Sequence, residues 1–385
     1  MRKGLTLSKK DQFDFHVLED YRAGKIDREK AAMLLNCCKE TVSRRVSRIR
    51  GRGIAGLIHG NIGRPPVNKT SEVLRQECLR LAQDIYYDFN IDHCREMLAK
   101  HHNIYIKYTT FHNWCRAAGI GKRKKRRPSK KRMLRERMSN EGLLLQMDGS
   151  SHVWFGEVKA TLIGAIDDAT SEISYGEFFS SETTLGCMQV VRRIIEIKGI
   201  PEALYVDQAH CFAGPRAQEY TQFARACEEL GIRIIAAMSP EAKGRIERAW
   251  NTCQDRLKPE LRLAGITTMQ AANGYLKDVF LPEYWNTKNT VVPHNETSRY
   301  KPLPDWLDLR EVFCLKHSRY VRRDHSISYN NQIYKLMSGF VGNLRGKEVA
   351  VHEYEDGSWC VYYGRCKLTI QLAPKPLRRW QKRSA

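Results

Sequence analysis

LLLQMD (143–148) is an apolar run that ends on an aspartate, and the segments downstream of it decide how it folds. A short apolar run bounded by turn formers reads as a buried strand. ATLIGAIDD (160–168) and EISYGEFF (172–179) are rich in β-formers, and Ala169-Thr170-Ser171 between them predicts a hairpin. Thr183 to Lys198 carries Met188, Val191, Ile194 and Ile195 at helical spacing. ALYVD (203–207) is a further short strand that again ends on aspartate. A helix over 216–230, a strand RIIAA (233–237) and a helix from Glu241 to Leu263, opened by Ser239-Pro240, complete the series. The order β-β-β-α-β-α-β-α predicts an α/β core with a mixed sheet over residues 141–310.

Toward the N-terminus the pattern is helical. Residues 11–50 read as three helices: the first with Phe13, Val17 and Leu18 inward, the second capped by Asp27 with Ala31, Leu34 and Leu35 inward, the third with Val42, Val46 and Ile49 inward. The third helix turns Thr41, Ser43, Arg44, Arg45 and Arg48 outward, a basic face that predicts a helix-turn-helix DNA-binding domain over 1–66. Arg64-Pro65-Pro66, in a Gly- and Pro-rich linker, is a candidate minor-groove arm. A second helical unit over 69–120 has Leu74, Cys78, Leu81 and Ile85 along one helix and Asp92 as cap of the next. Its last helix, opened at Thr109 or Thr110, puts Phe111, Trp114, Cys115 and Ala118 inward and His112, Asn113 and Arg116 outward, with Thr110 among the candidate DNA contacts. It reads as a second helix-turn-helix. Between it and the core, KRKKRRPSKKRMLRER (122–137) has eleven Lys or Arg in sixteen positions. This basic linker (121–140), with Lys122, Arg123, Lys124, Lys125, Arg126 and Arg127, is expected to track DNA.

Toward the C-terminus, residues 311–385 change to short alternating strands, with hairpin turns at Asn330-Asn331 and Asp356-Gly357. About five strands in a small closed barrel are expected, with a basic tail after them.

Charge obeys the same divisions. Residues 1–140 hold 33 basic and 14 acidic residues, 141–310 hold 18 and 23, and 311–385 hold 14 and 6, which gives the +22 of the whole 385-residue chain. Basic flanks point to a polyanion, and an acidic centre to carboxylates gathered for a purpose. No apolar run approaches the roughly 18 residues of a membrane-crossing helix, and the first residues lack a signal-peptide core, so a soluble cytoplasmic protein is expected. Twelve cysteines without a CxxC pair read as reduced, small hydrophobic residues.

Three acidic residues fall where this order could gather them. Asp148 and Asp207 end strands that would be neighbours, and Glu247, after 39 intervening residues, lies on the last helix. Carboxylates that close repel one another unless divalent cations bind there, and hard oxygen ligands suit Mg²⁺ or Mn²⁺. Lys243 shares a helix face with Glu247, and Arg245 and Arg248 flank it, placing cations near a phosphate.

The segments QMDGSSHVWF (146–155), AIDDATSEI (165–173), YVDQAHCF (205–212) and SPEAKGRIERAWNTCQDRL (239–257) resemble bacterial insertion-sequence DDE transposases, more narrowly the ISNCY group, whose core is similar to retroviral integrases. The resemblance covers nearly the whole chain. It implies an RNase H-like core and an SH3-like barrel tail. It also implies Asp148, Asp207 and Glu247 as catalytic triad and ligands of two Mg²⁺ or Mn²⁺. The expected activity is binding of the element's terminal inverted repeats, 3′-end hydrolysis, and joining to target DNA by a homo-oligomer that synapses two ends. The gap of 39 residues exceeds the roughly 35 of integrases, which leaves Glu241 as the fallback for Glu247. Asp167-Asp168 reads as a strand end and turn cap; His152 and His210 could contact DNA or steady the site, and neither reads as a metal ligand. The competing readings are a transposase-derived DNA-binding regulator with an inactive core and a structure-directed nuclease.

Overall fold

The computed structural model describes residues 9–57, 70–121, 135–207, 217–237, 244–337 and 342–373. The chain divides into two compact units, Met1–Glu77 and Cys78–Ala385. Among its described residues, the first packs α1 (Lys9–Arg22), α2 (Arg28–Leu34) and α3 (Lys39–Arg52) around Leu18, Ala31, Val42, Val46 and Ile49, and a tight helical turn, Gly53–Leu57, follows α3. Asp27 caps α2, accepting the Lys30 N–H at 2.7 Å. The inner face of α1 differs from the expected one. Phe13 is exposed, and Asp14 is buried because its carboxylate receives Arg45 at 2.9 Å. Leu34 is exposed too, since the seven-residue α2 turns Ala31 and Ala32 inward instead.

Helix α4 (Glu72–Asp84), most of which belongs to the second unit, leads into α5 (Ile91–His102) and α6 (Tyr108–Ala117). Asn90, two residues before the expected Asp92, caps α5 by accepting the His93 N–H at 2.8 Å; Asp92 pairs with Arg95 within the first turn. In α6, Phe111 and Cys115 are buried, Trp114 is half-buried and Ala118 is exposed.

The core sheet has five strands: β1 (Leu145–Phe155), β2 (Val158–Asp167), β3 (Tyr175–Phe179), β4 (Ala203–Asp207) and β5 (Arg233–Ala237), in the order β3-β2-β1-β4-β5. β1, β2 and β3 are antiparallel, and β4 runs parallel to both β1 and β5. The expected mixed sheet and the neighbouring first and fourth strands are both present. β1 is longer than LLLQMD predicts. Gly149 to Val153 pair with Ile163 to Lys159, so the ladder to β2, not local propensity, carries the strand through Gly-Ser-Ser-His. Successive side chains alternate between faces. Leu145 and Met147 pack on one face with α7 (Thr184–Lys198) and α8 (Ala217–Glu229); Leu162, Ile166 and Trp154 pack on the other under α9 (Gly244–Leu263) and α10 (Met269–Tyr275).

Gly164 lets α9 lie close. A Cβ built there would stand 2.9 Å from Cη2 of the buried Trp250 and 3.3 Å from the Tyr175 carbonyl. Gly164→Ala is therefore expected to destabilise the core by about 1–3 kcal/mol through overpacking, read as a lower midpoint in denaturant at unchanged slope. An unchanged midpoint would mean that α9 shifts without cost.

The C-terminal sheet contains six antiparallel strands rather than five: β6 (Leu315–Tyr320), β7 (Ser326–Tyr329), β8 (Gln332–Met337), β9 (Glu348–Glu353), β10 (Trp359–Tyr363) and β11 (Cys366–Leu372), ordered β6-β9-β10-β11-β8-β7. Asn330 and Asn331, with φ of 48° and 57°, make the tight β7–β8 turn, and Gly357 at φ 74° makes the β9–β10 turn. The strands enclose Ile327, Leu336, Val349, Val351 and Val361, and among the described residues no ladder joins the edge strands β6 and β7. No described helix is long and apolar enough to cross a membrane.

Candidate active site

β1 and β4 are parallel with Leu145 opposite Leu204 and Gln146 opposite Tyr205. Carried forward two residues, that register sets Asp148 opposite Asp207, the last residue of β4. Asp148 therefore sits inside its strand, not at its end, but at the level where β4 stops. Only the backbone of Asp207 is described. The chain leaves β1 toward β2 on one side and returns to β4 on the other, which makes this a switch point of the kind where α/β sheets bind ligands.

Asp148 shares a face of β1 with Gln146 and Ser150, and both of these reach α9. The Ile246 N–H donates to Gln146 Oε1 at 3.3 Å, and Gln254 Nε2 donates to Ser150 Oγ at 3.0 Å. Helix and strand thus run in the same direction. Glu247 lies in the first turn of α9, exposed, on the flank that also carries Gln254 two turns later. Two turns span about 11 Å and the two residues from Asp148 to Ser150 about 6.6 Å, so Glu247 stands roughly level with Asp148, within a few ångströms along the strand. Asp148 is half-buried and Glu247 exposed, and carboxylate oxygens are hard ligands of the kind that suits Mg²⁺ or Mn²⁺.

The two adjacent aspartates, Asp167 and Asp168, divide their work. Asp167 Oδ1 accepts the N–H groups of Ala169 and Thr170, both at 2.9 Å, and Oδ2 accepts the Gly142 N–H at 2.8 Å, which is the turn cap expected. Burial pushes its carboxyl above the ordinary value despite these bonds. Asp168, 0% exposed, does something else: it receives Arg135, Arg245 at 2.8 Å, Gln146 at 2.6 Å and the Met138 N–H at 2.9 Å.

The other candidates are scattered over the surface and the interior. On α3, Ser43, Arg44 and Arg48 are exposed, Thr41 is half-buried with its hydroxyl 3.0 Å from Cys38 Sγ, and Arg45 is taken up by Asp14. On α6, Asn113 and Arg116 are exposed, and Thr110 and His112 are half-buried. Arg248 is exposed at the start of α9, whereas the Arg245 side chain is 12% exposed and paired. His152 lies half-buried on β1, and burial with nearby Lys258 pushes its pKa down. Arg64, Lys122 to Arg127, His210, Glu241 and Lys243 lie outside the described residues.

Over 386 aligned positions the chain is 32% identical to the protein named "Putative transposase y4bF" of Sinorhizobium fredii, a match that spans 97% of this chain and 83% of that one. The chain belongs to the transposase family. The transposase for insertion sequence IS1202 of Streptococcus pneumoniae is 27% identical over 375 residues, 86% of this chain and 78% of that one. Likeness to solved structures is slight. The HTLV-2 integrase catalytic core domain in complex with magnesium is 18% identical at a TM-score of 0.29, over 36% of this chain and 84% of that one. The simian T-cell lymphotropic virus intasome is 14% identical at 0.34, over 78% of this chain and all of that one. No protein-family model matches.

Sequence patterns in this transposase leave two features unread. The first is the docking of α5 and the connection before it on α9. Wholly buried His93 bonds Glu260 at 2.8 Å, Tyr275 donates to the same carboxylate at 2.9 Å, Arg256 meets Glu96 at 2.7 Å, and Arg262 forks onto Asp88 at 2.7 and 2.9 Å. The second is Glu311, Cys314 and His352, whose donor atoms lie within 4.8 Å of one another. The Glu311 carboxylate is already bonded by Tyr354, Tyr362 and His352 at 2.6, 2.9 and 2.7 Å, and burial pushes the Cys314 thiol up to about 11. This network ties the turn Leu309–Val312 to β9 and β10. Of the cysteines, Cys78, Cys94, Cys115, Cys227, Cys253 and Cys314 are buried, and no described cysteine is disulfide-bonded.

Proposed function

We propose that this transposase binds the terminal inverted repeats of its element, cuts their 3′ ends by hydrolysis and joins them to target DNA by transesterification, as a homo-oligomer that holds two ends. In this reading Asp148, Asp207 and Glu247 hold two Mg²⁺ or Mn²⁺. Such ions, when bound, activate a water or a 3′-hydroxyl and stabilise the leaving oxygen of an in-line displacement. What supports the reading is the β1–β4 register that sets Asp148 opposite Asp207, with the Glu247 flank of α9 over the same strand. Exposed Arg248, and Lys243 four residues before Glu247, are proposed to hold the phosphate on either side of the scissile bond. Helices α2–α3 and α5–α6 act as helix-turn-helix units, α5 in direct contact with α9, and the basic linker 121–140, between the second unit and the core, tracks the DNA backbone. The C-terminal sheet, read as an SH3-like barrel, supplies the second basic flank.

The test is a labelled duplex carrying the gene's flanking sequence, incubated with Mn²⁺ or with EDTA. Nicked 3′ ends and joined products are expected with Mn²⁺ alone. Specific binding without cleavage under any divalent metal would favour the transposase-derived regulator. The same duplex should dissociate steeply with salt, by roughly 10³–10⁵ between 50 and 200 mM if some six to ten phosphates are contacted. A flat dependence would remove the basic flanks from the interface.

A further inference from the structure

We propose that Asp168 is a positioning residue for Glu247 and ties the start of α9 to the end of the basic segment. The inference rests on the reading of Glu247 as a catalytic carboxylate. Asp168 Oδ1 accepts Arg245 at 2.8 Å and Gln146 Nε2 at 2.6 Å, and Gln146 in turn accepts the Ile246 N–H at 3.3 Å. Residues 245 and 246 are thus both fixed by this one carboxylate, immediately before Glu247. Residues 244–247 form the first turn of α9, where backbone N–H groups lack partners within the helix, so a side-chain anchor decides whether the turn stays wound.

The same carboxylate holds the other chain segment. Arg135 pairs with it, Met138 N–H donates to Oδ2 at 2.9 Å, and Arg245 Nη2 donates to the Arg135 carbonyl at 3.0 Å. Arg137 adds bonds to the Asp168 carbonyl at 3.1 Å and to Ser171 Oγ at 2.8 Å. Arg135 and Arg137 are the last two cations of the basic run 122–137. A pull on that run by bound DNA therefore reaches Asp168 directly, and through Arg245 and Gln146 reaches the turn that presents Glu247.

The experiment compares the full-length wild type, Asp168→Asn and Glu247→Gln by hydrogen–deuterium exchange in EDTA and by the Mg²⁺ dependence of end nicking. In Asp168→Asn, exchange at 245–250 should rise about tenfold or more while 257–261 changes less than about twofold. Half-saturating Mg²⁺ should rise by about 10–100-fold, with duplex binding in EDTA held within about twofold. If Asp168→Asn does not fold, Arg245→Met carries the same expectations. Exchange that rises evenly along α9, or an unchanged Mg²⁺ requirement while Glu247→Gln is inactive, would overturn this inference alone. A fully active Glu247→Gln would remove the reading beneath it, and this inference with it.

Discussion

Asp148→Asn and Glu247→Gln are each expected to lose end cleavage and joining by at least about 10³-fold, and the double variant to lose little more than either, because groups that act as a unit are not additive. The reason is charge. An amide has nearly the shape of the carboxylate it replaces but cannot neutralise a divalent cation, so the metal site fails while the fold stands. Duplex binding, measured in EDTA, should stay within about twofold of wild type, since it rests on cations elsewhere in the chain. Stability is the discriminating readout. If the carboxylates are gathered as proposed, they repel one another without a bound metal ion, so Glu247→Gln should leave the metal-free melting temperature unchanged or slightly higher. Loss of activity together with a lowered melting temperature and lost binding would instead make these residues structural. Asp148→Asn that still nicks within about tenfold of wild type would remove Asp148 from the site.

How much of this is legible in the sequence depends on where the determining contacts lie. ALYVD and RIIAA are apolar strands flanked by breakers, and β4 and β5 begin and end where those runs do. β1 outruns its apolar stretch because Gly149 to Val153 become strand only through pairing with β2, a contact that periodicity does not carry. Asp14 on α1 shows the reverse error. A polar residue takes an inward position, and Phe13 is left outside, because Arg45 on α3, 31 residues away, supplies its partner. Asp168 reads in sequence as the second half of a turn cap. Its role depends on Arg135 and Arg245, 33 and 77 residues off, and no local pattern encodes a meeting of that kind. Of the three proposed metal ligands, Asp207 closes β4 and Glu247 opens α9, which are local signals; Asp148 closes the apolar run LLLQMD but lies inside β1, so its place is legible and its strand end is not.

Removing residues 1–69 and removing residues 1–120 are expected to have very different consequences. The first unit has its own core of Leu18, Ala31, Val42, Val46 and Ile49, so cutting before α4 should leave the melting temperature of the remainder within a few degrees of the full chain. Binding of the specific ends should fall by about 10²–10⁴, the gain that a second linked module ordinarily gives, while non-specific binding to the remaining basic surface persists. Cutting at 120 also strips α4–α6 from α9. Glu260 then loses His93, Arg256 loses Glu96 and Arg262 loses Asp88. The cut lays bare the face of α9 that these contacts cover, and the loss falls on the helix whose first turn carries Glu247. The shorter chain is expected to be insoluble, or to unfold at much lower denaturant, and to be inactive even on a pre-nicked end supplied in excess. If it folds with a wild-type midpoint and still joins pre-nicked ends, α4–α6 are a separable recognition module and the contacts to α9 contribute nothing to the core. If only the longer product joins them, the second helical unit belongs to the catalytic body, and the proposed recognition helix α6 is held on the same body as the proposed catalytic carboxylates.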